Sequence, residues 1–191
     1  KGLESTSLTL NLNATSCYVG DYLHASGMLT SNGGGLANRA VELHVDGQNV
    51  GLANTDAKGA YSVLIRVPYK YVSSILVNAV FSPQSGDKSV YLASVSPSVK
   101  VGVLFYRTLL DVSMPAVAYP GLSLSVLGNV TSQDGLPLDK RQVKVLLDGD
   151  VIGVASTDIA GGFAIKSAVA SDAVLGNHSL TVRVEPSGRY A

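Results

Sequence analysis

The stretch NTDAKGAYSVLI occupies Asn54–Ile65, and STDIAGGFAIKS occupies Ser156–Ser167. Each writes Thr-Asp-x-x-Gly-x-aromatic and then an apolar run. An Asp side chain can accept hydrogen bonds from backbone N–H groups two residues on and so close a turn. A Gly two residues before the aromatic supplies positive φ at little steric cost. The aromatic that opens the following run is placed to enter a core. Thr55, Asp56, Gly59, Thr157, Asp158 and Gly161 therefore read as structural turns. A calcium site on Asp56 or Asp158 is the sharper alternative. Neither residue has a second carboxylate nearby at ligand spacing.

The duplication extends outward from this turn in both directions. Gly20 aligns with Gly121, Gly27 with Gly128 and Ser31 with Ser132. AVELHVDG (Ala40–Gly47) aligns with QVKVLLDG (Gln142–Gly149), Gly51 with Gly153, Tyr61 with Phe163 and Pro83 with Pro186. A fixed period of this kind marks a repeated structural unit. The division falls at 1–104 and 105–191.

Within each copy the apolar residues alternate, which is the period of half-buried strands. LTLNL (Leu8–Leu12), YLHASGML (Tyr22–Leu29), VELHV (Val41–Val45) and YSVLIRV (Tyr61–Val67) show it in copy 1. LSLSVLGNV (Leu122–Val130), VKVLL (Val143–Leu147), FAIKS (Phe163–Ser167) and LTVRV (Leu180–Val184) show it in copy 2. Asp-Gly between apolar runs, in VDGQNV and LDGDVI, signals tight hairpins. Only SAVASDAVLG (Ser167–Gly176) leaves a choice between one helical turn and a loop. About seven strands per copy predict an all-β chain of two tandem Greek-key immunoglobulin-like β-sandwich domains. The junction has no Gly/Ser-rich or Pro-rich linker, so a stiff end-to-end pair is expected.

Gly27-Met-Leu-Thr-Ser31, Ala40–Gly47, Thr55–Tyr61 and Val67-Pro68 together resemble the bacterial and archaeal immunoglobulin-like repeats of large surface proteins. The turn is also similar to that of transthyretin-like and carboxypeptidase-regulatory-like sandwiches. The resemblance implies a non-enzymatic structural module of an extracellular surface protein: a stalk, spacer, or adhesion or assembly domain. It names no catalytic residue, metal or cofactor.

Composition bounds the rest. Fourteen basic residues balance fourteen acidic ones, so no field steers the chain to nucleic acid. Charged residues make up 15% of the chain, against about 25% in ordinary domains. No apolar run approaches the roughly 20 residues of a membrane span. Cys17 is the single cysteine and reads as a small buried hydrophobe, with an intermolecular bridge or reactive thiol as the alternative. His24, His44 and His178 do not recur between copies, and a two-histidine site from His24 and His44 is not required by spacing. No catalytic signature is present, and the Gly-rich SNGGGLANR (Ser31–Arg39) precedes a strand, so it reads as a variable loop. Asn13, Asn129 and Asn177 fit the glycosylation pattern. A carbohydrate-binding accessory module of a larger secreted enzyme is a further reading, and it needs exposed aromatics.

One asymmetry remains. After PQSG (Pro83–Gly86), copy 1 continues into a long strand, Val90–Val103, whereas after EPSG (Glu185–Gly188) copy 2 has only RYA. The second domain is therefore expected to lack its last strand. Either the chain is a piece of a longer protein, or another molecule supplies the strand, as in pilus-type filaments assembled by donor-strand complementation. The partners are then neighbouring domains or other copies. The segment 1–15, with Leu8, Leu10 and Leu12 alternating, is a candidate donor. It begins KGLESTS, without Met or a leader, as a mature or excised piece would.

Overall fold

The computed structural model describes residues 2–191, and Lys1 of the candidate donor segment lies outside them. Contacts divide the chain into two compact units, Lys1–Leu104 and Phe105–Ala191. Both are all-β sandwiches.

In unit 1 the strands run β1 (Ser7–Leu8), β2 (Asn11–Leu12), β3 (Ser16–Tyr18), β4 (Tyr22–Ser31), β5 (Gly34–Gly35) and β6 (Ala40–Val45). They continue as β7 (Gln48–Asn54), β8 (Ala60–Arg66), β9 (Ser74–Phe81), β10 (Ser94–Val95) and β11 (Val99–Leu104). One sheet is built on β4, which pairs with β1, β2, β5 and β8; the other has the order β3-β11-β9-β6-β7, with β10 on β9. The chain changes sheets between β4 and β6, between β7 and β8, and again between β8 and β9, which gives the Greek-key path. The alternation seen in sequence is the sandwich interior: Leu23, Leu29, Val41, Leu43, Ile65, Ile75, Val77 and Val101 are all sealed from solvent.

Unit 2 is smaller. It holds β12 (Thr108–Ser113), β13 (Ser123–Ser132), β14 (Gln142–Leu147), β15 (Asp150–Ser156), β16 (Gly162–Ala168) and β17 (Leu180–Val184). The sheets are β12-β13-β16 and β15-β14-β17. Leu124, Val126, Val130, Val143, Val145, Phe163 and Ile165 form its core.

Both Asp-Gly pairs turn hairpins, β6–β7 and β14–β15. Asp46 and Gly47 have φ of 46° and 83°, and Asp148 and Gly149 have 48° and 88°. Two successive left-handed residues make the turn whose twist matches that of the flanking strands. Each hairpin carries a register shift, at Leu43/His44 and at Val145/Leu146.

Several expected elements differ in detail. LTLNL is two short pieces, β1 and β2, both on β4. The long strand expected over Val90–Val103 is broken: a 3-10 turn at Ser85–Ser89 precedes it, and β10 and β11 flank Pro97. Proline has no N–H to give to a ladder, so the strand stops there. Residues 169–176 form a loop and no helical turn. No helix is long and apolar enough to cross a membrane among the described residues.

Candidate functional site

The duplicated turn has the same bonding in both units. Asp56 Oδ1 accepts from Lys58 N at 2.8 Å and Ala60 N at 3.0 Å. Asp158 Oδ1 accepts from Ala160 N at 3.0 Å and Gly162 N at 2.8 Å. Gly59 and Gly161 have φ of 83° and 78°. Their carbonyls accept from Leu29 N and Val130 N on the neighbouring strand, so the turn is stitched to the sheet.

Sequence reasoning gave the threonine no role of its own, yet it makes as many bonds as the aspartate. Thr55 Oγ1 is buried, donates to Leu36 O at 2.5 Å and accepts from Arg39 N at 2.9 Å. Thr157 Oγ1 donates to Leu138 O at 2.6 Å and accepts from Arg141 N at 2.8 Å. The backbones add Asn38 N to Thr55 O, Thr55 N to Arg39 O, and the equivalent pair at Lys140 and Arg141. The loop before β6 is therefore only partly variable. Its last four residues are pinned alike in both units, with Asn38 and Lys140 left-handed at φ of 55° and 54°. The signal was there to find: Leu-x-x-Arg recurs at Leu36–Arg39 and Leu138–Arg141.

The aromatic of the motif crosses a glycine on the facing strand. Tyr61 is registered against Gly27, and Phe163 against Gly128. A Cβ on Gly27 would overlap Thr9 O and the Tyr61 ring; on Gly128 it would overlap Asp111 O and the Phe163 ring. Tyr61 Oη donates to Thr9 O at 2.5 Å. Burial disfavours the phenolate, and the Tyr61 pKa is pushed up to about 12. An unfolded tyrosine ionises near 10. The stabilisation this gives unit 1 is complete below pH ~10 and is lost as pH rises from there through the folded value of about 12. Phe163 cannot titrate. Melting temperatures of the full chain against pH should therefore show an extra alkaline loss in the unit 1 transition, which Tyr61→Phe removes. An equally steep fall in the variant would refute the assignment.

Arg39 makes a bidentate pair with Asp87, through Nε at 2.7 Å and Nη2 at 2.9 Å, and lies over the Tyr91 ring. The pair holds Asp87 below the usual carboxylate range. In unit 2, Arg141 stacks at 4.8 Å on Tyr190 and bonds Ser187 O, but its buried Nε has no acceptor. Where Asp87 follows Ser85-Gly86 in unit 1, Arg189 follows Ser187-Gly188 in unit 2.

The remaining singled-out residues do not converge. His24 lies in β4 against Ser62 Oγ, and His44 in β6 against Glu42 Oε2, so they belong to different sheets. His178 faces two acceptors, Asp148 Oδ2 and Val174 O, and the contacts raise its pKa above the usual imidazole value while lowering that of Asp148. Cys17 is half-buried rather than enclosed, its thiol 3.5 Å from Tyr18 O. Asn13, Asn129 and Asn177 are exposed, and Asn13 Oδ1 accepts from His24 N. Leu8 is buried against β4, while Leu10 and Leu12 are half-buried in the same unit. Exposed Tyr22 and Tyr69 both stack on Arg66. No three His, Cys, Asp or Glu side chains gather at metal-binding distance among the described residues.

The units differ most at one sheet edge. In unit 1, β11 pairs antiparallel with β9 and parallel with β3. Along the edge of β9 that β11 and β10 cover, Ile75, Val77, Ala79 and Phe81 are sealed. In unit 2, β17 ends its sheet. Asp148 N bonds Ser179 O as Asp46 N bonds Leu76 O, so Leu180, Val182 and Val184 stand where Val77, Ala79 and Phe81 stand. They are only half-buried, and His178 stands in the place of Ile75. Beside this edge opens a groove of about 340 Å³, lined by Val117, Leu124, Val169, Val174 and Leu180 among others.

No protein-family model matches the sequence, and no curated protein matches it. Among solved structures, the chain is similar to the fibronectin(III)-like modules of Clostridium thermocellum CbhA, at 19% identity over 92% of this chain and 85% of that one, with a TM-score of 0.36. It is similar to the D0-D1 domain of intimin, at 14% identity over 94% and 92%, with a TM-score of 0.36. It is also similar to a tetra-tandem repeat in the extending region of a large adhesion protein, at 16% identity over 95% and 48%, with a TM-score of 0.41. None of these likenesses is close enough to bear on what this chain binds or does.

Proposed function

We propose that this chain is a non-enzymatic, load-bearing segment of an extracellular surface protein, made of two copies of one immunoglobulin-like domain. Its task is spacing, adhesion or assembly, and its working parts are the sheets. One observation carries the reading: β3, in the N-terminal part of unit 1, runs parallel to β11, its last strand. Gly102, Val103 and Leu104 pair with Ser16, Cys17 and Tyr18, and Glu4 pairs with Tyr91 in the same sense. A pull on the two ends of such a unit slides parallel strands past each other. Several bonds then have to break together, among them Gly102 N to Thr15 O and Val19 N to Leu104 O, instead of one after another. Unit 2 keeps only the shorter parallel contact of Tyr106–Thr108 with Arg189–Ala191.

The test is single-molecule pulling of the full chain in two directions. Unit 1 should resist a pull through the chain ends more strongly than a pull between residue 1 and the hairpin tip at Gly47. It should also outlast unit 2. Equal, low forces in both directions would remove the mechanical reading.

A further inference from the structure

We infer that Tyr22, Arg66 and Tyr69 of unit 1 form a binding site for an acidic sugar, a uronic-acid residue of a glycan. The sugar carboxylate goes to the Arg66 guanidinium. The C–H face of the sugar ring packs on the phenol rings that flank it.

The cluster is held in place, yet the fold does not require it. Tyr22 and Arg66 are directly opposed on β4 and β8. Arg66 Cζ lies 5.8 Å from the ring centre of Tyr22 and 5.3 Å from that of Tyr69. Its Nε donates to Gly20 O at 2.9 Å, and its Nη2 to Tyr69 Oη at 3.0 Å. Tyr69 in turn lies across Gly20, where a Cβ would overlap the phenol. Unit 2 has the same backbone frame without these side chains. Gly121 N bonds Val169 O as Gly20 N bonds Val67 O, and Val169 N bonds Leu122 O as Val67 N bonds Asp21 O. Ser123 and Ala168 are opposed where Tyr22 and Arg66 are, and Ser171 stands beside Gly121 where Tyr69 stands beside Gly20. The sandwich therefore forms with Ser, Ala and Ser at these positions, and Tyr-Arg-Tyr serves something else.

The chemistry selects the ligand. A guanidinium has more N–H donors than the two bonds use, and Nη1 makes no hydrogen bond among the described residues. Nor does Arg66 pair with a carboxylate among them. Its fork is already fixed by two bonds and two rings, so little freedom is lost when it closes on a carboxylate. Tyr22 and Tyr69 are 59% and 53% exposed. A phenol offers an apolar face and a polar tip. A pyranose has the matching surface, apolar on its C–H face and hydroxylated at its rim. The sheet continues outward with His24 against Ser62 Oγ and with exposed Leu64 opposite His24. The imidazole and hydroxyl suit sugar hydroxyls, and Leu64 suits a further C–H face. An acidic peptide can use the guanidinium but has no ring to lay on the two phenols. The site gives the adhesion task a ligand and is independent of load bearing, so either reading can fail alone.

Calorimetric titration and amide NMR on the full chain test this. The probes are tetramers of galacturonic acid and of glucuronic acid, beside the methyl-esterified galacturonate tetramer and tetraglutamate. The expected result is saturable binding of a uronic tetramer, with shifts at Tyr22, Arg66 and Tyr69 and none at Ser123, Ala168 and Ser171. The ester keeps the rings and loses the charge, and tetraglutamate does the reverse; each should bind about tenfold more weakly or worse. Arg66→Lys keeps the charge but not the planar fork and should cost about tenfold in Kd. Tyr22→Ser combined with Tyr69→Ser should cost at least as much while unit 1 still melts cooperatively, since unit 2 folds with serine at both places. The inference is overturned by no binding of either uronic tetramer at millimolar concentration, or by equal binding of the ester or of tetraglutamate. Shifts confined to other residues, or unchanged binding in either variant, would overturn it as well.

Discussion

Gly27→Val should cost unit 1 about 3–5 kcal/mol, the sum of overpacking and a broken buried hydrogen bond. The new side chain has nowhere to go. On one side it meets Thr9 O, which is tied in place because Thr9 N bonds Met28 O and Thr9 Oγ1 accepts from Met28 N. On the other it meets the Tyr61 ring, whose hydroxyl holds the same carbonyl. Moving the ring empties part of the core; moving the carbonyl strips β1 and β2 from β4. At about 4–8 °C per kcal/mol for a domain of this size, the unit 1 melting temperature should fall by about 12–40 °C. The unit 2 transition is the internal control. Gly128→Val should move the pattern to unit 2, through Asp111 O and Phe163. A loss below about 1 kcal/mol at either site, the size of an ordinary surface change, would mean that the aromatic does not lie across the glycine.

Thr157→Val is the second large effect. The substitution keeps the shape and removes the hydroxyl. Leu138 O and Arg141 N then lose their partner in a place where Thr157 is only 4% exposed. Each buried orphan costs about 1–3 kcal/mol, so a loss of about 2–5 kcal/mol is expected, with Thr55→Val giving the same in unit 1. Thr157→Ser retains the oxygen and should recover most of it. Calorimetry on the three variants separates the hydroxyl from the methyl group. If Thr157→Val costs less than about 1 kcal/mol, the hydroxyl does not hold Leu138 O and Arg141 N and the bonding account of the turn fails.

These two residues mark what the sequence made legible. The repeated Asp-x-x-Gly turn and the two Asp-Gly hairpins could be read directly, because left-handed backbone and Asp side-chain bonding are local and restrict residue type strongly. The inward faces of β4, β6, β8 and their counterparts could be read because period-two alternation is also local. The job of Thr55 was not legible, since its partners Leu36 and Arg39 come from a loop sixteen to nineteen residues earlier. The Leu-x-x-Arg repeat in that loop was hidden by its differing Gly-rich and Pro-containing surroundings. The strand expected over Val90–Val103 missed the weight of Pro97, which parts β10 from β11. The edge of β17 could be suspected only by comparing one half of the chain with the other. That its residues are half-buried, and that His178 replaces Ile75, are tertiary facts.

The account rests on unit 2 repeating the sandwich of unit 1, with β17 paired on its β14 side among residues 2–191, and residue-resolved hydrogen exchange on this 191-residue chain tests that most directly. The amides of Ile75 and Val77 face β11, that of Ala79 donates to Ser96 Oγ, and all three should exchange only as unit 1 unfolds. Those of Leu180 and Val182 should exchange orders of magnitude faster than their own neighbours Thr181 and Arg183, whose groups face β14. Slow exchange at Leu180 and Val182, matching that at Val77 and Ala79, would contradict the account, because it would mean that the edge is covered in the free protein.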